Sequence, residues 1–119
     1  MLSLAVTDLD RANRFYGETL GLLPAEYDGQ RIGWRFNRTV FMLKTSADWY
    51  GTPTAEPNPR ITLACKDADA TAAALQGRGV QIADAVQNYD GPFRLGSFLD
   101  SEGNKLWFCS NPNWTPYGS

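Results

Sequence analysis

The chain contains no histidine, so the side chain most often used as a general base and as a metal ligand is missing from whatever chemistry it performs. Glu26, Tyr27, Tyr89 and Asp90 are candidate acids or bases, and no two of them form a recognisable catalytic pair in sequence. Cys65 and Cys109 have neither Cys-x-x-Cys spacing nor enough partners for a disulfide framework. With no histidine to take its proton, Cys109 is better suited to packing than to nucleophilic attack. The arginines offer more. Arg31 and Arg35 share one face of an alternating run, and Arg60 precedes another. A guanidinium is a planar fork suited to carboxylate or phosphate, and it also stacks on aromatic rings.

The elements that must position these groups come from a pattern stated twice. Leu2-Ser3-Leu4-Ala5-Val6-Thr7-Asp8-Leu9-Asp10-Arg11-Ala12 is matched by Ile61-Thr62-Leu63-Ala64-Cys65-Lys66-Asp67-Ala68-Asp69-Ala70. Each is an alternating strand ending on an Asp that can cap a following helix. In the first half, Leu9, Ala12, Phe15, Tyr16 and Leu20 make one apolar helical stripe, which Gly21 and Pro24 end. Asp28-Gly29 signals a tight hairpin. It leads to Arg31 to Phe36, in which Ile32, Trp34 and Phe36 oppose Arg31, Gly33 and Arg35. Asn37-Arg38 turns the chain into Thr39 to Lys44. The second half repeats the order: an Ala-rich helix stopped at Gly77 and Gly79, a strand over Val80 to Val86, a turn at Asp90-Gly91, and a last hairpin around Ser101 to Asn104. Asp100 and Glu102 fall in that turn, where solvent exposure is the default.

This is an α+β chain of two tandem βαβββ modules. At 119 residues it is one domain: repeat one at about 1–45, a polar, Pro-rich connection over 46–59, repeat two at about 60–110, and a tail over 111–119. A net charge of −2 gives no field for nucleic acid, and no Lys/Arg run suggests a membrane surface. No apolar stretch approaches the roughly 20 residues that span a bilayer, and the first residues lack signal-peptide order. The expectation is a cytoplasmic protein with reduced thiols. Trp49 and Tyr50 suit an interface patch or a lid, and Trp114 and Tyr117 suit packing on the domain or on a second subunit.

Val6-Thr7-Asp8-Leu9-Asp10-Arg11-Ala12, Phe15-Tyr16, Leu20-Gly21-Leu22 and Phe98-Leu99-Asp100-Ser101-Glu102-Gly103-Asn104-Lys105-Leu106 resemble the vicinal oxygen chelate superfamily. That superfamily includes glyoxalase I, extradiol dioxygenases and bleomycin-resistance proteins. The resemblance spans nearly the whole chain and implies a curved sheet around a cavity. It also implies metal ligands, usually His or Gln, Glu, His and Glu, at positions that here hold Met1, Met42, Arg60 and Trp107. A thioether, a protonated guanidinium and an indole do not substitute, so no metal and no other cofactor is expected.

By the same resemblance those positions face the hollow, and alternation assigns their neighbours. Arg31, Arg35, Met42, Arg60, Phe93 and Trp107 are the candidate ligand-binding residues, with Lys105 and Cys109 on the same face as Trp107. The leading expectation is a metal-independent binding protein of the bleomycin-resistance type, sequestering or sensing an anionic or polar aromatic small molecule. A homodimer is the expected partnership, with no nucleic acid and no membrane. The alternatives are an enzyme of the glyoxalase/dioxygenase group acting through other residues, and a structural partner whose hollow is filled. Arg31 and Arg35 equally suit a solvated hairpin face, and Trp107 and Met42 a plain core.

Overall fold

The computed structural model describes residues 2–45, 51–56, 60–89 and 91–113. Met1, Trp49, Tyr50, Asp90, Trp114 and Tyr117 lie outside them. The first module runs β1 (Leu2–Val6), α1 (Leu9–Arg14), β2 (Leu23–Tyr27), β3 (Gln30–Phe36) and β4 (Thr39–Thr45). The second runs β5 (Thr62–Ala64), α2 (Ala68–Gly77), β6 (Ile82–Tyr89), β7 (Phe93–Leu99) and β8 (Lys105–Ser110). Each builds its own four-stranded sheet, ordered β1-β4-β3-β2 and β5-β8-β7-β6. In both, the first strand returns through the helix to lie parallel to the last, and the other pairs are antiparallel.

Local chemistry fixes the joints. Asp8 and Asp67 are extended and accept at Oδ1 from Arg11 N (3.0 Å) and Ala70 N (3.2 Å), so each caps the helix it precedes. Asp28 and Gly29 both have positive φ, 53° and 77°, the geometry of a tight hairpin turn between β2 and β3. Pro24 sits on β2, an edge strand, where its missing N–H costs no ladder bond. The expected single helical stripe changes period: α1 continues into a π turn over Phe15–Thr19, closed by Leu20 N donating to Phe15 O at 2.8 Å.

The two modules share one core. Leu4, Val6, Tyr16, Trp34, Phe41 and Leu43 of the first pack in a continuous cluster with Leu75, Phe98, Leu106 and Phe108 of the second. Tyr16 is fully buried, with its ring edge-on to Phe15 (5.3 Å) and Phe41 (5.9 Å). These residues occupy the helix-facing sides of the sheets, and that leaves the opposite faces to line hollows of their own.

The β7–β8 turn is where the expectation of solvent exposure is overturned. Asp100 is 6% exposed, and the Glu102 side chain has no exposed surface. The turn inserts beside the end of β1 and the start of α1, whose unpaired amides need acceptors. Glu102 Oε1 accepts from Thr7 N (2.8 Å) and Asp8 N (2.7 Å), and its Oε2 accepts from Arg11 Nε (2.7 Å). Asp100 accepts the Tyr16 hydroxyl at 2.7 Å and the backbone amides of Glu102 and Asn104 at 2.8 Å each. Asn104 Nδ2 then donates to Ala5 O at 2.7 Å. Burial pushes the Glu102 pKa up, but Arg11 and the backbone donors outweigh it and hold the group at about 2, against an ordinary 4.5. Burial and the nearby Asp100 charge push the Tyr16 hydroxyl well above its usual range.

Two outcomes follow from this contact. Removing the carboxylate in Glu102→Ala should destabilise the fold by about 2 kcal/mol, less than a fully buried pair because Arg11 stays half exposed. In thermal melts that is a fall of about 8 °C. The folded pKa of Glu102 lies below its unfolded value, so its contribution is complete above pH 4.5 and is lost as pH falls from 4.5 toward 2. Glu102→Gln should therefore flatten the acid side of a stability-versus-pH curve. An unchanged curve would show that the carboxylate does not join the modules.

Candidate functional site

On the second sheet, cross-strand register sets Thr62, Trp107 and Ser97 side by side, with Ala64, Cys109 and Leu95 in the next row. Arg60 lies just ahead of β5. Its Cζ sits 4.7 Å from the Trp107 ring centroid, and Lys105 Nζ sits 4.5 Å from the same ring. Lys105 shares this face because it stands two residues before Trp107 on β8. Two cations on one indole repel each other, and Asp84 relieves that repulsion. Asp84 Oδ2 is 2.5 Å from Lys105 Nζ and accepts the Ser97 hydroxyl at 2.5 Å. Those two contacts, with Arg60 farther off, lower the Asp84 pKa.

Two hollows open here, and Arg60 borders both. One, of about 320 Å³, is lined by Arg60, Thr62, Tyr89, Phe93, Leu95 and Cys109. The other, of about 300 Å³, is lined by Ala55, Glu56, Arg60, Lys105 and Trp107. In the first, Arg60 is the one charged lining residue among those described, and it is set against two aromatic rings. Burial, and then the neighbouring Cys65, raise the Cys109 thiol pKa, so it is less of a thiolate than an ordinary cysteine.

The first sheet places its candidates differently. Met42 pairs with Ser3, half-buried, and Arg35 pairs with Val40, exposed. Arg31 does not join Gly33 and Arg35 on one face as simple alternation predicts. The β2–β3 ladder passes from Ala25↔Gly33 to Glu26↔Arg31, so Ile32 is an extra residue and the alternation slips by one. Arg31 consequently lies over Trp34, with Cζ 4.9 Å from the ring. Trp34 in turn donates Nε1–H to Asn13 Oδ1 at 3.0 Å. The structure thus gathers Arg60, Phe93 and Trp107 on one sheet and Arg31 with Met42 on the other. Arg35 stands apart from both groups. Glu26, Tyr27 and Tyr89 are exposed side chains on edge strands.

Sequence reasoning missed Asp84 as the partner of Lys105. Two irregularities in the β6–β7 ladder set where Asp84 points, and alternation does not reveal them. A divalent ion does not fit the positions that resemblance assigns to it. Of the three that are described, Met42 offers a thioether, while Arg60 and Trp107 are engaged with each other. The described residues contain no group of three or more Cys, Asp or Glu able to hold a metal. No described helix is long and apolar enough to cross a membrane.

Known structures share this architecture. TnmS3, an antibiotic binding protein from a Streptomyces species, is 27% identical, with a TM-score of 0.66 over 92% of this chain and 93% of its own. A lactoylglutathione lyase from Agrobacterium tumefaciens is 16% identical, with a TM-score of 0.72 over 96% and 94% of the two chains. A glyoxalase-related enzyme from Fulvimarina pelagi is 18% identical, with a TM-score of 0.72 over 96% and 88%. The last two identities speak for the fold alone. No curated protein shows significant sequence similarity to the chain. The sequence profile of the Glyoxalase/Bleomycin resistance protein/Dioxygenase superfamily matches residues 1–108. With the doubled βαβββ architecture, that match shows that the chain belongs to this superfamily.

Proposed function

We propose that the protein is a metal-independent small-molecule binding protein of the bleomycin-resistance type, and that its ligand is a polar or anionic aromatic compound. The observation that carries this reading is the hollow of about 320 Å³, whose lining includes Arg60, Phe93 and Tyr89. A ring between aromatic walls gains from burial and stacking, and a carboxylate on it gains a charge-assisted hydrogen bond. TnmS3, which binds an antibiotic, gives the reading further support. The thioether, guanidinium and indole at the superfamily's metal positions favour binding over metal-assisted turnover.

The same reading takes the protein as a cytoplasmic homodimer. The two hollows that Arg60 borders are open, and Leu23 and Tyr27 on the edge strand β2 are 71% and 73% exposed. A second copy would cover such a face and close a hollow. Sedimentation velocity should show one species at twice the chain mass; a monomer at high concentration would remove the dimer.

Thermal-shift and calorimetric titrations with 1-naphthoate and its neutral amide test the ligand class. Arg60→Ala should weaken the acid about tenfold or more and the amide about threefold or less, since only the acid loses a charge-assisted bond. Equal losses would refute the role given to Arg60.

A further inference from the structure

The β3–β4 ladder stops short. It pairs Phe36↔Thr39, Arg35↔Val40 and Trp34↔Phe41, and no pair follows. Continuing the same register would set Arg31 opposite Lys44, and like charges facing each other across a ladder are unfavourable. Ile32 is displaced by the bulge, one residue beyond Gly33, whose lack of a Cβ lets the Phe41 carbonyl approach closely. The strands part, and a gap of about 250 Å³ opens beside α1, bordered by Asn13, Arg31, Gly33, Met42 and Lys44.

The polar side chains around this gap are of one kind. Arg31 and Lys44 are cations, and neither has an ion-pair partner among the described residues. Asn13 has its carbonyl oxygen engaged by the Trp34 indole, so its remaining polar group is the amide NH₂. No carboxylate side chain borders the gap. Stacking on Trp34 also holds Arg31 in place before anything binds. Around Trp107, by contrast, Asp84 and Glu56 accompany the two cations.

We propose that the gap between β3 and β4 is a binding site for an oxyanion, the phosphate or carboxylate group of a small molecule, held by Asn13, Arg31 and Lys44. Two cations and an amide donor border the same gap, Glu26 across the ladder from Arg31 makes no ion pair with it, and a bound anion would offset the repulsion between the two cations. The volume falls below the roughly 300 to 1,000 Å³ of a whole-ligand pocket, so the gap suits one charged group rather than a complete ligand. This site lies on the first sheet and goes beyond the Arg60 hollow; it stands or falls on its own.

The test uses inorganic phosphate, with sodium chloride of equal ionic strength as the blank, read by thermal shift and calorimetry on the full chain. Wild-type protein should bind phosphate saturably. Arg31→Gln and Lys44→Gln should each weaken it about tenfold or more. Lys66→Gln, which removes an exposed charge elsewhere, should leave it unchanged. Asn13→Asp keeps an acceptor for the Trp34 indole yet brings an anion into the gap, so it should abolish phosphate binding in a protein that melts normally. Acetate and phenyl phosphate run in parallel assign the site: tighter phenyl phosphate marks a phosphoryl group, tighter acetate a carboxylate. Absence of saturable binding by all three anions overturns the proposal, as does equal loss in Lys44→Gln and Lys66→Gln. Binding of 1-naphthoate, lost in Arg60→Ala but kept in Lys44→Gln, would show that the Arg60 reading survives such a failure.

Discussion

Glu102 and Asp100 hold the second module's last hairpin against the first module's opening strand and helix, and the placement of every other element follows from that contact. The two sheets share no ladder: β1 and β5 each pair within their own module. What joins them is apolar packing, which is not directional, and hydrogen bonds, which are: this set, with Arg78 Nη1 donating to Leu20 O at 2.7 Å. Two carboxylates with fixed donors select one relative orientation from the many that an apolar core would tolerate. Tyr16 belongs to both systems, with its ring in the core and its hydroxyl on Asp100.

Because the join uses the helix-facing sides, the opposite faces are left out of the core. Side chains there can change without a cavity penalty in the interior. That freedom accounts physically for an indole and a guanidinium standing where relatives with metal sites keep chelating groups. The exchange has its own requirements. Trp107 draws Arg60 and Lys105 onto its ring, and the resulting excess of positive charge is tolerated because Asp84 meets Lys105, with the Ser97 hydroxyl as a further donor to Asp84. One aromatic residue thus commits four polar neighbours.

Features governed by short-range chemistry were legible in the sequence: the Asp8 and Asp67 caps, the Asp28-Gly29 turn, the doubled module and the placement of Trp107 with Thr62 and Cys109. Each depends on residues within a few positions, or on strict alternation along an unbroken strand. Three features were not legible. The partners of Glu102 on the first module lie 91 to 95 residues away in sequence, and no local rule brings them to a turn that reads as solvated. Arg31 lands on Trp34 because Ile32 is bulged, and Asp84 reaches Lys105 because β6 slips against β7. A one-residue slip exchanges faces completely, so alternation fails abruptly there.

That failure also decides how charge is distributed over the molecule. Strict alternation would spread Arg31 and Arg35 along one face of an open hairpin, both of them solvated. The bulge separates them instead. Both stay exposed, but Arg31 lies over the Trp34 ring, next to Lys44 at the unpaired end of the ladder. An exposed arginine gains little from a single anion in water, because the surrounding dielectric and salt screen it. Arg31 held on an indole, beside half-buried Lys44 and an Asn13 amide fixed by the same indole, meets an anion with less ordering left to do. The irregularity in the ladder therefore does more than interrupt it, since it fixes the position of a surface charge.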